Sequence, residues 1–245
     1  MTDREKSIPP DNRVIMISGA SRGIGAAIAE CLSTEGYLLS LGVRSPEKMD
    51  HFQKSSDSQK TLICRFEANE PMSIDNWVQQ TLEHYGKLDG LINNAGILRQ
   101  VSFDNGNEED LDAMWAVNVK APFRLIKQCL PFLRQSKHGR IINIASTDGK
   151  RYRDSVSIGY TMTKHALVSL SHAARFSGWN DGIRVTALCP GAVDTELVAH
   201  IPGVTPSSER LSPQSIASTV AFLLTLPNTA SISEIPINTR LESTL

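Results

Sequence analysis

The stretch that decides the fold is Arg13-Val14-Ile15-Met16-Ile17-Ser18-Gly19-Ala20-Ser21-Arg22-Gly23-Ile24-Gly25. Its first half is almost continuously apolar, as a strand covered on both faces must be. Its second half is a glycine-rich turn. From Ile24 to Gly36 the pattern becomes helical, with Ile28, Ala29 and Leu32 on one face. Glycines at such a strand-to-helix junction permit a tight turn and close approach of backbone to a phosphate. The helix amino terminus beyond supplies unpaired N–H groups and a favourable dipole. Taken alone the pattern is equally a glycine-rich loop that binds nothing.

The alternation continues outward from that unit. Tyr37 to Val43, Thr61 to Arg65, Leu88 to Ile92, Arg140 to Ala145, Ile183 to Leu188 and Ile235 to Ile237 read as further strands. Helices are expected around Pro46 to Lys54, from Pro71 to Tyr85, from Glu108 to Arg134 with a break near Pro122, from Ser157 to Gly178 and from Pro213 to Leu224. Pro71 suits a first helical turn, where its missing N–H costs nothing. Seven strands alternating with helices make an α/β protein with a doubly wound parallel seven-stranded sheet, in a single domain. Ligands bind such sheets beyond the carboxyl ends of the strands. The domain is expected over residues 13–245, after a flexible segment 1–12, with a substrate loop at about 192–212.

Composition excludes several classes of function. Lys and Arg number 25 against 26 Asp and Glu, so nothing in the charge balance favours nucleic acid or an anionic membrane as partner. Cys31, Cys64, Cys129 and Cys189 lie far apart and form no C-x-x-C pair, so no metal site is expected. Buried free thiols fit a reducing compartment. The polar start, with Pro9 and Pro10, does not read as a signal peptide, and no apolar run is long enough to span a bilayer. A cytoplasmic location is expected.

Tyr160 and Lys164 stand one helical turn apart on one face. An ammonium beside a phenol favours phenolate and would lower the tyrosine pKa, making a usable acid/base. Such a pair is as readily a surface feature of a helix, but Ser146 lies 14 residues earlier at the end of the fifth strand. A hydroxyl there could face a substrate oxygen.

Together these segments resemble the short-chain dehydrogenase/reductase family, which has the Rossmann fold, over nearly the whole chain. Gly19, Gly23 and Gly25 form its G-x-x-x-G-x-G turn, although Ser18 stands where threonine is usual. Asn93-Asn94-Ala95-Gly96 matches its N-N-A-G segment, and Asn118 in AVNVKAPF falls at its catalytic asparagine. Ser146, Tyr160 and Lys164 complete its catalytic set, and Pro190-Gly191-Ala192-Val193-Asp194-Thr195 matches its P-G-x-V-x-T segment.

The resemblance implies an NAD(P)-dependent oxidoreductase acting on a small-molecule carbonyl or alcohol. Tyr160 would be the general acid/base, Ser146 would hold the substrate oxygen, Lys164 the nicotinamide ribose, and Asn118 a relay water. Cofactor contacts are expected from Gly19, Ser21, Arg22, Gly23, Ile24, Gly25, Arg44, Glu67, Ala68, Asn94, Ala95, Gly96, Tyr160, Lys164, Pro190, Gly191, Val193 and Thr195. The resemblance also implies a homodimer or homotetramer.

At the end of the second strand Val43 occupies the place of the carboxylate that NAD-preferring enzymes use on the adenosine ribose. Arg44 and Arg22 could flank a 2′-phosphate there. NADP(H) is therefore preferred, with NAD(H) the alternative. A non-catalytic dinucleotide-binding sensor is the remaining reading, though such proteins typically lose the tyrosine or lysine that this chain keeps. Two segments should wall the substrate pocket, residues 147–158 and 196–211. Lys150, Arg151, Arg153 and Asp154 in the first point to an anionic or polyhydroxylated substrate or, as the preferred reading, to an outer loop or subunit contact. The second lacks periodicity and is expected to be a lid. Ser146 and Tyr160 stand one residue further apart than is commonest in the family, which predicts a bulged loop.

Overall fold

The computed structural model describes residues 6–49, 59–153, 157–199, 201 and 204–241. The sheet has seven parallel strands in the order β3-β2-β1-β4-β5-β6-β7. These are β1 (Val14–Ser18), β2 (Leu38–Val43), β3 (Thr61–Arg65), β4 (Gly90–Asn93), β5 (Arg140–Ile144), β6 (Arg184–Pro190) and β7 (Glu234–Ile237). The order reverses direction between β1 and β4, which opens a crevice at their carboxyl ends.

Side chains of β1 alternate between two cores. Ile15 and Ile17 pack with Ile28, Leu32, Ile216 and Leu224 from α1 (Gly23–Thr34) and α6 (Pro213–Thr225). Val14 and Met16 pack on the other face with Trp77, Leu125, Cys129 and Leu133. Those residues come from α2 (Pro71–Tyr85) and α4 (Ala121–Ser136). A strand buried on both faces needs apolar residues at every position, which is why the alternation is invisible in the sequence.

The long helix expected from Glu108 is three segments: α3 (Glu108–Trp115), a π-helical turn (Ala116–Lys120) and α4. Its break precedes Pro122 rather than falling on it. Pro122 has no N–H to give the Asn118 carbonyl four residues back. The backbone there widens, and the Ala121 N–H donates to the Ala116 carbonyl instead. Such single-turn bulges frequently mark functional positions.

Of the short helix expected at Pro46 to Lys54, a 3-10 turn covers Pro46–Lys48; residues 50–58 lie outside the described residues, as do residues 1–5. Ser7 and Ile8 are tied to the Thr225 carbonyl at the end of α6. The remaining helix, α5 (Ile158–Gly178), begins at Ser157, whose Oγ accepts from the Tyr160 N–H at 3.3 Å. The same oxygen accepts from the Val101 N–H at 3.2 Å, pinning the helix start to the loop after β4. No helix among the described residues is long and apolar enough to cross a membrane.

Candidate active site

A cavity of about 590 Å³ lies in the crevice at the strand ends, within the usual range of roughly 300–1,000 Å³ for small-molecule sites. Its floor begins with the turn after β1. Gly19 and Gly23 take the left-handed conformation, with φ of +68° and +55°. Gly25 serves by close approach: a Cβ there would sit 2.2 Å from the Gly19 carbonyl oxygen and 2.5 Å from Asn94 Nδ2. Any side chain at Gly25 would therefore push the turn open.

Ser18 ties this turn to the segment after β4. Its Oγ accepts from the N–H groups of Asn94 and Ala95 at 3.0 and 3.1 Å. Asn94 Nδ2 in return donates to the carbonyls of Ser18 and Gly19, both at 3.0 Å. The hydroxyl is what this position needs, and serine supplies it as threonine would.

The sequence-predicted cofactor residues Gly19, Ser21, Arg22, Gly23, Ile24, Arg44, Glu67, Ala68, Asn94, Ala95, Gly96, Pro190, Gly191, Val193 and Thr195 all line this cavity. Gly25 is not among the lining residues but packs against Gly19 and Asn94, which are. Val43 ends β2 at one wall, and Arg44 follows it. Arg22 reaches across to Glu196. Both side chains are largely exposed, so the pair is worth little and opens at small cost.

Ser146, Tyr160 and Lys164 line the same cavity. Each is nearly buried, with 6%, 7% and 4% of its surface exposed. Lys164 Nζ lies 5.5 Å from the Tyr160 ring centre and donates to the Ile144 carbonyl at 2.8 Å. Asn118 stands behind, its Oδ1 accepting from the Ile97 N–H at 2.9 Å. Its Nδ2 donates to the Ile97 carbonyl and to Thr163 Oγ1. That amide is thus held on both edges by the π-helical turn, α5 and the loop after β4.

The electrostatics correct one expectation. Burial pushes the Tyr160 phenol above its ordinary pKa, and the Asp148 carboxylate pushes the same way; hydrogen bonding from Ser146 opposes them. Lys164 does not dominate as the spacing suggested, because burial lowers its own pKa to about 8. A buried ammonium that readily loses its proton is a weaker counter-charge than an exposed one.

The segment after β5 also differs from expectation. Arg151 and Arg153 do not simply decorate an outer loop: both pair with Asp148, at 3.3 and 3.1 Å. Asp148 is 6% exposed and was missed in the sequence, where only its place two residues after Ser146 could have flagged it. Its N–H donates to Ser146 Oγ at 3.0 Å, forming a 3-10 turn over Thr147–Gly149. Lys150 instead pairs with Glu234. Asp154 lies outside the described residues. His165 is exposed and hydrogen-bonds the Thr161 carbonyl, away from this site.

The family model for short chain dehydrogenase matches residues 13–203. Among curated proteins, the chain is 38% identical to an agropine synthesis reductase of Rhizobium rhizogenes, over 89% of this chain and 50% of that protein. It thus spans about half the length of that relative. It is 30% identical to an uncharacterised oxidoreductase of Staphylococcus saprophyticus, covering 91% of this chain and 94% of the other. Among solved structures it is similar to an alcohol dehydrogenase of Thermococcus sibiricus complexed with 5-hydroxy-NADP. That match has a TM-score of 0.85 at 30% identity and covers 94% and 99% of the two chains. A short chain dehydrogenase of Burkholderia cenocepacia in complex with NADP gives the same TM-score at 25% identity, over 95% and 98%. With its seven-stranded sheet, its glycine turn and these matches, the chain belongs to the short-chain dehydrogenase/reductase family of oxidoreductases.

Proposed function

We propose that this protein transfers a hydride between NADP(H) and a carbonyl or secondary alcohol substrate. The observation that carries the reading is the convergence of Ser146, Tyr160 and Lys164 on one cavity with the glycine turn. The residues fit a dinucleotide: a cradle that a Cβ at Gly25 would fill, at a helix amino terminus suited to phosphate. When bound, the nicotinamide supplies or accepts the hydride. The α1 amino terminus and its turn would hold the pyrophosphate, and Lys164 would hold the nicotinamide ribose.

Ser146 donates a hydrogen bond to the substrate oxygen and Tyr160 moves the proton at that oxygen. Burial keeps the Tyr160 phenol protonated at neutral pH, which suits a proton donor in carbonyl reduction. Lys164, with a pKa near 8, can return the proton to Tyr160, and the Asn118 side chain fixes the backbone beside it. The name reductase carried by the Rhizobium relative accords with this direction.

Preference for NADP(H) rests on Val43, the last residue of β2, and on Arg44 after it. No acid stands where Val43 is, and Arg22 and Arg44 offer guanidinium to a 2′-phosphate. The NADP-type ligands in the Thermococcus and Burkholderia structures support it. Titration by nicotinamide fluorescence should give tighter binding of NADPH than NADH. In Arg44→Ala that preference should fall about tenfold, the weight of one charge-assisted contact. Tighter binding of NADH to the unaltered protein would reverse the assignment.

A further inference from the structure

The large cavity is lined by charges of both signs. Among its acids, Asp194 accepts from Ser207 Oγ at 2.7 Å and meets Arg210 Nη1 at 3.4 Å. Glu196 is paired instead with Arg22, and both of these line the cavity. The pair joins the turn after β1 to the segment after β6. These two segments touch: a Cβ on Gly23 would lie 3.2 Å from Thr195 Cγ2. Arg22 immediately precedes α1, in extended backbone with φ of −159°, and its side chain caps nothing in that helix.

An arginine fork suits a carboxylate and a phosphate equally well. The Arg22 guanidinium that would meet a 2′-phosphate is therefore already engaged by an anion of matching shape. A phosphate monoester carries roughly 1.5 to 2 negative charges at neutral pH, so it cannot share that guanidinium with Glu196 without repulsion. NADH has a hydroxyl in place of the phosphate and asks for no such exchange. The side chains of Arg22 and Glu196 are 63% and 72% exposed, and an exposed pair of this kind is worth at most about fivefold in an equilibrium.

We infer that Glu196 competes with the 2′-phosphate of NADP(H) for the Arg22 guanidinium, and so sets an upper limit on the preference for the phosphorylated cofactor. This rests on the NADP(H) reading and deepens it, by naming a residue that works against that preference. Removing the Glu196 charge leaves its segment anchored at the base. Val193 is bridged to Leu211, the Asp194 N–H donates to the Leu211 carbonyl at 2.8 Å, and the Leu211 N–H donates to the Ala192 carbonyl at 2.9 Å.

A double-mutant cycle tests it. NADPH and NADH are titrated into the parent, Glu196→Gln, Arg22→Ala and the double variant, at low ionic strength because salt screens exposed charges. Glu196→Gln should raise the ratio of NADPH to NADH affinity by about two- to fivefold. Made in Arg22→Ala, the same substitution should leave the ratio where Arg22→Ala alone puts it. The pyrophosphate is common to both cofactors, so its repulsion by Glu196 cancels in the ratio. A ratio unmoved or lowered by Glu196→Gln, or raised equally in both backgrounds, would overturn the competition and leave the NADP(H) reading standing. A parent that binds NADH more tightly, with NADPH binding unchanged in Arg22→Ala, would remove both.

Discussion

Tyr160→Phe is expected to lower kcat by about 10²–10⁴-fold, the usual contribution of a positioned general acid/base, while weakening cofactor binding far less. The phenol lines the same cavity as Ser146, and on the proposed reading it exchanges the proton with the substrate oxygen held there. Phenylalanine keeps the ring that packs with Met114 and removes only the hydroxyl. Single-turnover kinetics with NADPH, alongside a binding titration, would separate the two effects. Near-normal turnover in this variant would mean that the proton comes from elsewhere, and the roles of Ser146 and Lys164 would have to be redrawn.

Lys164→Met should make the protein more stable as it makes the enzyme inactive. The folded state holds Lys164 at a pKa of about 8 against 10.5 when unfolded, because burial disfavours its charge. Below pH 8 both states are protonated and the full cost of burying the ammonium opposes folding. As pH rises from about 8 to 10.5 the folded protein gives up the proton first, and the cost is relieved. The whole shift corresponds to something on the order of 3 kcal/mol. Methionine fills similar space without a charge, so urea unfolding at pH 7 should show the variant more stable by up to that amount. At pH 10 the gap should have largely closed. A variant less stable than the parent at pH 7, or a gap that widens with pH, would contradict the origin of the shift. A destabilising lysine retained in the cavity is the kind of cost that active sites impose on folds.

The fold was legible where local signals agree. Val14 to Ile17 is apolar throughout because the strand is covered on both faces, and the glycines after it leave few alternatives to a strand–turn–helix unit. The place of Tyr160 was also local: a helix capped by Ser157 sets it one turn before Lys164. What the sequence hid was set by partners distant along the chain. Asn118 reads as one polar residue in a helix, yet Ile97 and Thr163 decide its orientation. Arg22 reads as a guanidinium that could flank a 2′-phosphate, and only the fold shows it paired with Glu196, far along the chain. Asp148 reads as an ordinary loop acid, and only the fold shows it buried and paired with Arg151 and Arg153. The same burial reversed the pKa direction expected for Tyr160, since spacing reports which groups are near and not how dry they are.

The most direct test is to follow the hydride itself. The protein would be mixed with NADPH deuterated at its reactive carbon and with a panel of small aldehydes and ketones, and the products examined by mass spectrometry. Deuterium is expected on the carbinol carbon of a product, one atom for each NADPH consumed, and about 10²–10⁴-fold less of it when Tyr160→Phe replaces the parent at the same concentration and time. Tight binding of NADPH with no label transferred to any carbonyl would contradict hydride transfer and make this chain a dinucleotide-binding protein without turnover.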